Sequence, residues 1–433
     1  MKLGMYLRQA WYGLRANRVY SAVFIIGTAF SMALVMAFLT VLSARLVNTR
    51  PEMHRDRTMV IYNVWYSRDA GQMSGMVNSG IGKVFLEGLP EVERWTTVYG
   101  GSSMMMENME GDARHAYTVY TGLDFWKIFD MDFLYGGPVS ENGTDINTPE
   151  AVISESFAVR LLGRADAVGE KIVCNDKEYK VCGVVRDVPM SAVLAFSEVW
   201  LPSSVYEASA QRNPKCEFLG GGMVIALLHG SRNFAGVEQA IRDKVAIYNS
   251  NTGETEGWTL DIRGMSSYRQ YLFAWSELSP SAYAWLGLGV VLLVLLVPLI
   301  NLSGMVNSRM EARLPEFGTR KAFGANARSI TVQIVWENLL MTFIGGVLGL
   351  LLSWLMIGIF SRQLNALVPE VIVDFHTGRI PDAAYFDFRN FFDIRLYLVM
   401  MLIILVLNLL SAIIPAMKVV RNPIAESLNR KKQ

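Results

Sequence analysis

The 433-residue chain is 52% hydrophobic, 18% charged and near neutral at +1. Soluble domains hold about a quarter charged residues, so the apolar excess points to a membrane protein with a sizeable polar domain, and the balanced charge gives nucleic acid no electrostatic footing. Three cysteines (Cys174, Cys182, Cys216) and four histidines (His54, His115, His229, His376) are scattered without CxxC or HExxH spacing, which excludes the common metal-centre patterns.

In chain order, residues 1–20 carry Lys2, Arg8, Arg15 and Arg18 and no acid, with Leu3, Leu7, Trp11 and Leu14 at helical spacing. This predicts an amphipathic helix in a cytoplasmic interface. Residues 21–43, "SAVFIIGTAFSMALVMAFLTVLS", are long enough to span a bilayer, and no small-residue cleavage site follows that would make them a signal peptide. Residues 44–282 read as an extracytoplasmic α+β domain. Strand patterns occur at "TMVIYNVWY", "HAYTVYTG", "EAVIS", "EKIVCNDKEYKVCGVVRDVP", "SEVWLP" and "GGMVIALLHG", and helical patterns at "GIGKVFLEGL", "ESFAVRLLG" and "NFAGVEQAIRDKVAIYN". "GIGKV" is not a phosphate loop, which would need glycine at Val77 and Ser or Thr at Val84. The methionine-dense "SSMMMENMEG", 102–111, suits either a soft-metal site or an adaptable packing surface. Cys174 and Cys182 flank the turn "NDKE", as either a disulfide or two half-buried thiols.

Further spans are expected at 283–306, 334–360 and 396–417. The fold class is therefore four transmembrane α-helices with a large α+β extracytoplasmic domain between spans one and two. The 307–333 segment holds Arg309, Arg313, Arg320, Lys321 and Arg328, and the 418–433 tail holds Lys418, Arg421, Arg430, Lys431 and Lys432. The 361–395 loop leans acidic through Glu370, Asp374, Asp382, Asp387 and Asp393. By the positive-inside rule both termini and 307–333 are cytoplasmic. Asn301, Glu337, Asn338 and Asn408 are the main polar residues of spans two to four, too few for a polar pathway. Glu337 is expected near the cytoplasmic end, within reach of Arg328 or a headgroup. Gly345 and Gly349 form a GxxxG, and Gly27 and Ser31 repeat that spacing in span one, suited to packing within one chain or between two.

The basic stretch "EARLPEFGTRKAFGANARSI" interrupts the apolar runs. Pro315 suits a first helical turn, Glu316 its positive end, Arg320 and Lys321 its negative end, and Gly324 its stop. A helix over Pro315–Phe323 is too short to stand alone. It needs its own spans, lipid or a soluble partner to order it, whereas topology alone would need only the Lys and Arg.

"SRMEARLPEFGTRKAFGANARSITVQIVWEN" resembles the signature of the FtsX/MacB-type ABC transporter permease family, R-x-x-E-[IF]-G-x-R-[KR]-A-x-G-A followed by an Ile, a Gln and a Glu. Arg313, Glu316, Phe317, Gly318, Arg320, Lys321, Ala322, Gly324, Ala325, Ile330, Gln333 and Glu337 match it. The tail resembles the family's closing segment through Ala416, Pro423 and Leu428, and "EAVISESFAVRLLGRADAVGEKIVCNDKEYKVCGVVRDVP" resembles the MacB-like periplasmic core domain. The resemblance implies a coupling helix in which Arg313, Glu316, Phe317, Gly318, Arg320, Lys321, Phe323 and Gly324 dock on a separate ABC ATPase. That ATPase would hold ATP and Mg, leaving this chain non-catalytic and without cofactor. It further implies pairing of two permeases in a bacterial inner membrane, as homodimer or heterodimer, with spans one and two continuing outward as a stalk. A periplasmic adaptor or lipoprotein would be a further partner, and membrane lipids surround the spans. The expected task is mechanotransmission for efflux of amphiphilic toxic compounds. Lipoprotein release and signalling to cell-wall hydrolases are alternatives with the same architecture. Two departures stand out. The family's macrolide exporter carries its ATPase on the same chain, and the 361–395 loop, with "AAYFDFRNFF", is longer than that exporter needs and suits an extra partner contact.

Overall fold

The computed structural model describes residues 18–46, 48–68, 71–189, 191–210, 216–230, 233–272 and 326–366, with helical pieces within 8–15, 281–293, 319–323 and 397–409. The chain divides into two compact units. One comprises Met1–Ser43, Ser281–Leu364 and Phe388–Gln433; the other comprises Ala44–Pro280 and Asn365–Asp387.

In the first unit, α1 (Arg18–Leu46) is longer at both ends than the expected 21–43 span. A second long helix, Ala327–Ala366, likewise overruns the expected 334–360 at both ends. At 1.5 Å per residue its 40 residues extend about 60 Å, twice the roughly 30 Å of a hydrocarbon core. Among the described residues these are the two helices long and apolar enough to cross a membrane. Of the expected span 283–306, Trp285–Val290, Leu292 and Leu293 are helical; of 396–417, Tyr397–Val399, Met401–Ile403, Leu405, Val406 and Leu409 are helical. The loop at 361–395 lies outside the described residues beyond Ala366.

The second unit is α+β. Its strands are β1 (Thr58–Ile61), β2 (Val64–Arg68), β3 (Gly71–Gly75), β4 (Val92–Asn108), β5 (Ala113–Thr121), β6 (Phe133–Gly136), β7 (Glu150–Ser154), β8 (Lys171–Cys174), β9 (Lys177–Val185), β10 (Val199–Pro202), β11 (Gly222–Leu228), β12 (Thr259–Asp261) and β13 (Met265–Ser267). Its helices are α2 (Phe125–Ile128), α3 (Glu155–Leu162), α4 (Ser203–Ser209), α5 (Phe234–Glu256) and α6 (Tyr268–Tyr271), and the long helix of the first unit is α7. Ten strands form one sheet in the order β13-β1-β11-β4-β5-β10-β7-β9-β6, with β8 bridging β4 and β9. The pairings β4–β5–β10–β7–β9–β8–β4 therefore close a ring. A smaller sheet runs β12-β2-β3.

Alternation along the strands divides the interior. Val60 of β1 and Ile225 and Leu227 of β11 enter a core with Trp200, Phe125, Phe129 and Tyr268. Their sequence neighbours Met59, Ile61, Val224, Ala226 and Leu228 face the opposite side, against Val237, Ile241 and Val245 of α5. A third core draws from every strand of the closed ring and from Phe157, Ala158 and Leu161 of α3. Helix α3 is set by local signals: Ser154 accepts the Phe157 N–H, Glu155 lies in the first turn, and Gly163 closes it at φ 72°.

Several elements differ from their sequence patterns. "TMVIYNVWY" is split between two sheets, because Tyr62 and Asn63 bond to Gly264 between β1 and β2. "GIGKVFLEGL" forms only one wide turn, Gly82–Leu86, pressed so closely on Trp95 that a Cβ at Gly82 would lie 2.2 Å from its ring. Residues 102–108 of the methionine-dense stretch belong to β4, a 17-residue strand with a bulge between Gly100 and Ser102, and 109–111 to the turn that follows. There Met106 is buried while Met105 is exposed. Among the described residues no group of His, Cys, Asp or Glu is arranged to hold a metal.

Asn175 and Asp176, both at positive φ, make the two-residue turn of the β8–β9 hairpin. Cys174 and Cys182 are free thiols, so no disulfide joins them. Cys174 lies 3.9 Å from the Met104 sulfur, and the Cys182 thiol donates to the Ala151 carbonyl at 3.4 Å. Burial pushes the Cys174 thiol up to about 11 and the Cys182 thiol up to about 12. Both stay protonated at neutral pH, so maleimide should label them only after denaturation, and equally with or without reductant. Gly136 has φ +66° and a Cβ there would meet the Cys182 carbonyl, so Gly136→Ala should cost about 2 kcal/mol or more in denaturant unfolding.

Candidate functional site

The signature stretch is met at Thr319, Ala322 and Phe323, where the Phe323 N–H donates to the Thr319 carbonyl at 3.1 Å. This is one turn of the helix expected over Pro315–Phe323. Phe323 ends it with 90% of its surface open. Arg313, Glu316, Phe317, Gly318, Arg320, Lys321 and Gly324 lie outside the described residues. Asn326 follows, its carbonyl accepting the N–H groups of Ser329 and Ile330 as α7 begins.

The first half of α7 packs on the N-terminal elbow. Ile330, Ile334 and Met341 form a buried cluster with Leu14 and Phe24. The Ser21 hydroxyl of α1 donates back to the Leu14 carbonyl at 3.3 Å, tying the first helical piece to α1. On the outer side of that piece, the Arg15 guanidinium lies 5.6 Å over the Trp11 ring. Further along, a Cβ at Gly345 would lie 2.9 Å from Thr28 Cβ, and one at Gly349 would lie 2.8 Å from the Ala29 carbonyl oxygen. The GxxxG therefore seats α7 on α1 within one chain. Contacts advance together along both helices, so α1 and α7 run in the same direction. Gly346 meets Met401 and Met32 instead, and Met32, Val35 and Met36 of α1 cluster with Tyr397 and Met401. Gly27 is exposed with nothing within 4 Å, and Ser31 is half-buried.

Gln333, Glu337, Asn338 and Thr342 of α7 are buried. Glu337 is 1% exposed, not turned toward headgroups as its position along the span suggested, and its carboxylate accepts from Gln333 at 3.2 Å. Thr342 donates to the Asn338 carbonyl at 2.9 Å. Among the described residues, the Asn338 amide nitrogen and the Thr28 hydroxyl are buried without a hydrogen-bond partner.

The large unit holds a polar knot that sequence patterns did not single out. The Glu52 carboxylate is 2% exposed. One oxygen accepts the N–H groups of Leu194 (2.7 Å) and Ala195 (3.1 Å). The other accepts Arg55 Nε (2.7 Å) and the Tyr268 hydroxyl (2.6 Å). Arg55, also 2% exposed, donates to the Ser191 carbonyl at 2.6 Å and lies 5.1 Å over the Tyr268 ring. Burial works to lower the Arg55 pKa, and Glu52 and Tyr268 outweigh it, so the guanidinium is held above its ordinary value. No spacing marks this knot, since its parts lie as far as 216 residues apart.

Such a chain, with long apolar helices joined to an α+β domain and a basic signature turn leading into α7, has the plan of an ABC transporter permease. A profile of the MacB-like periplasmic core domain matches residues 21–244 and one of the FtsX-like permease C-terminal region matches residues 288–424. The chain belongs to the MacB/FtsX family of ABC transporter permeases. It is 24% identical over 355 residues to the pyoverdine export ATP-binding/permease protein PvdT of Pseudomonas aeruginosa, covering 80% of this chain and 50% of that protein. It is 22% identical to YknZ of Bacillus subtilis, named as an uncharacterized ABC transporter permease, over 51% of this chain and 49% of that protein. The periplasmic region of MacB from Actinobacillus actinomycetemcomitans aligns at a TM-score of 0.34 and 15% identity, over 48% of this chain and 88% of that one. The chain spans about half the length of PvdT and 37% of a macrolide export MacB from Mannheimia succiniciproducens.

Filling the close contact should separate α7 from α1. Gly349→Leu should cost about 1–3 kcal/mol, seen as a lower melting midpoint in detergent, whereas Gly27→Val in open space should stay within about 0.5 kcal/mol.

Proposed function

We propose that this chain is the transmembrane subunit of a mechanotransmission-type ABC transporter in a bacterial inner membrane, with both termini cytoplasmic. ATP and Mg are bound outside these 433 residues, on a separate ATPase that docks at Arg313, Glu316, Phe317, Gly318, Arg320, Lys321, Phe323 and Gly324. Hydrolysis there moves the large domain on the far side of the membrane, and the permease itself catalyses nothing. Two permeases pair to make the working unit.

One observation carries this reading: α7 joins the exposed Phe323 turn to α1, the helix that leads into the large domain. An open aromatic ring in a basic stretch is the kind of anchor that a pocket on a partner protein takes. The common direction of α1 and α7 also supports the topology. If both cross, the chain must return between them, and 283–306 is the apolar run long enough to do so. The basic segments ahead of both helices then share one face, as the positive-inside rule requires.

Relatives are named for export of pyoverdine and of macrolides, so we assign this transporter to efflux of amphiphilic compounds, working with a periplasmic adaptor. Phe323→Ala and Glu316→Lys should each cut recovery of the ATPase with the tagged permease by about tenfold, equivalent to about 1.4 kcal/mol, while membrane insertion is kept. Undiminished recovery in both would overturn the docking assignment. In the same purification a cell-wall hydrolase in place of an adaptor would turn the reading to signalling, and a captured lipoprotein would turn it to lipoprotein release.

A further inference from the structure

The Ala44–Pro280 part of the large unit is connected to its flanking segments at its two ends. The chain comes in after α1, through 48–57, and goes out after β13, through α6. These connections lie at one edge of the ten-stranded sheet, because β1 and β13 are paired neighbours: Met59 opposes Ser267 and Ile61 opposes Met265. The antiparallel register puts the start of β1 beside the end of β13, so both connections leave from the same end of the strands.

The Glu52 knot ties that end together. Glu52 and Arg55 belong to the incoming segment and Tyr268 to the outgoing one, while Ser191, Leu194 and Ala195 belong to the body, between β9 and β10. Phe196, next in chain, packs with Tyr117 of β5, and Trp200 of β10 donates to the Ala195 carbonyl at 3.3 Å. The loop that receives Glu52 is thereby anchored on the closed ring of strands.

Closing a core does not require these charges. Apolar residues of similar volume often stabilise as well as a buried ion pair. Directed bonds do what apolar packing does not: each donor fixes an angle as well as a distance. Two backbone N–H groups, a guanidinium and a hydroxyl converge on one carboxylate, so neither connection can turn without breaking a bond to the other or to the body.

We infer that Glu52, with Arg55 and Tyr268, is the rigid joint of this permease, a positioning residue that locks both connections to the sheet so that movement of the membrane segments is passed to the body rather than absorbed at the junction. This deepens the proposed function and rests on it for the source of the movement.

The experiment uses the full chain in nanodiscs with the ATPase that co-purifies. Spin labels go on exposed sites, Asn48→Cys or Arg269→Cys paired with Met105→Cys, to report incoming segment against body and outgoing segment against body. The parent should give one narrow distance for each pair, unchanged by ATP. Tyr268→Phe, which keeps the ring over Arg55, and Glu52→Gln, which keeps an acceptor, should broaden both distributions about twofold or more. A dye on Met105→Cys with an acceptor on lipid headgroups then reads displacement of the body. The two variants should lose at least about half of its ATP-dependent change, with the ATPase rate within about twofold of the parent. Distances that stay as narrow as the parent's, or a full ATP-dependent displacement in both variants, would overturn the joint. If Glu52→Gln does not fold, Tyr268→Phe decides alone. A parent with narrow distances and no ATP-dependent displacement would instead overturn the transporter reading while leaving the joint in place.

Discussion

A carboxylate withdrawn from water is the constraint around which the large domain is arranged. Desolvating Glu52 costs several kcal/mol on general grounds, and only a full set of donors offsets it. The domain supplies that set from three stretches far apart in sequence, so the knot forms only when β1, β13 and the loop ahead of β10 are all in place. Its formation therefore reports completion of the fold. It also gives Ser191, Leu194 and Ala195, in a segment outside the strands and helices, fixed partners: their backbone groups are the ligands of a buried ion pair.

The membrane unit is held by a different force. In lipid, apolar contact between helices gains little over contact with acyl chains, so close approach and small residues decide association. Gly345 and Gly349 allow α7 to approach the backbone of α1, and the Ser21–Leu14 hydrogen bond ties in the Leu14 turn against which the start of α7 packs. The two units thus differ in kind. One is secured by directed bonds around a buried charge, the other by fit between smooth helices.

Much of this was legible from the chain. Strand patterns located β1, β5, β7, β9 and β11, and the helical pattern "ESFAVRLLG" located α3, because those signals are local. β4 was not among the strand patterns, and its register shifts between Gly100 and Ser102. "GIGKVFLEGL" has helical spacing, and contact with Trp95 overrides it. Glu337 resembled an edge residue because its burial depends on neighbours that spacing does not reveal. The turn at Phe323 falls within the helix expected over Pro315–Phe323, most of which lies outside the described residues, whereas the knot at Glu52 could not be read, since nothing local distinguishes an acid that will be buried from one that will be solvated.

The placement of the two connections also determines how the sheet bears load. Hydrogen bonds of an antiparallel ladder stand perpendicular to the strands. Because both connections leave from one end of β1 and β13, the component of any tension directed along those strands strains all the bonds of the β13–β1–β11 ladders at once, in shear. The same tension across the strands would open the ladders like a zipper, one bond after another. Beyond β11 the load meets β4 and the closed ring, which offers no free strand at which peeling could start. Four- and three-residue strands such as β1 and β13 would be poor anchors if peeled; in shear they act as a single bolt.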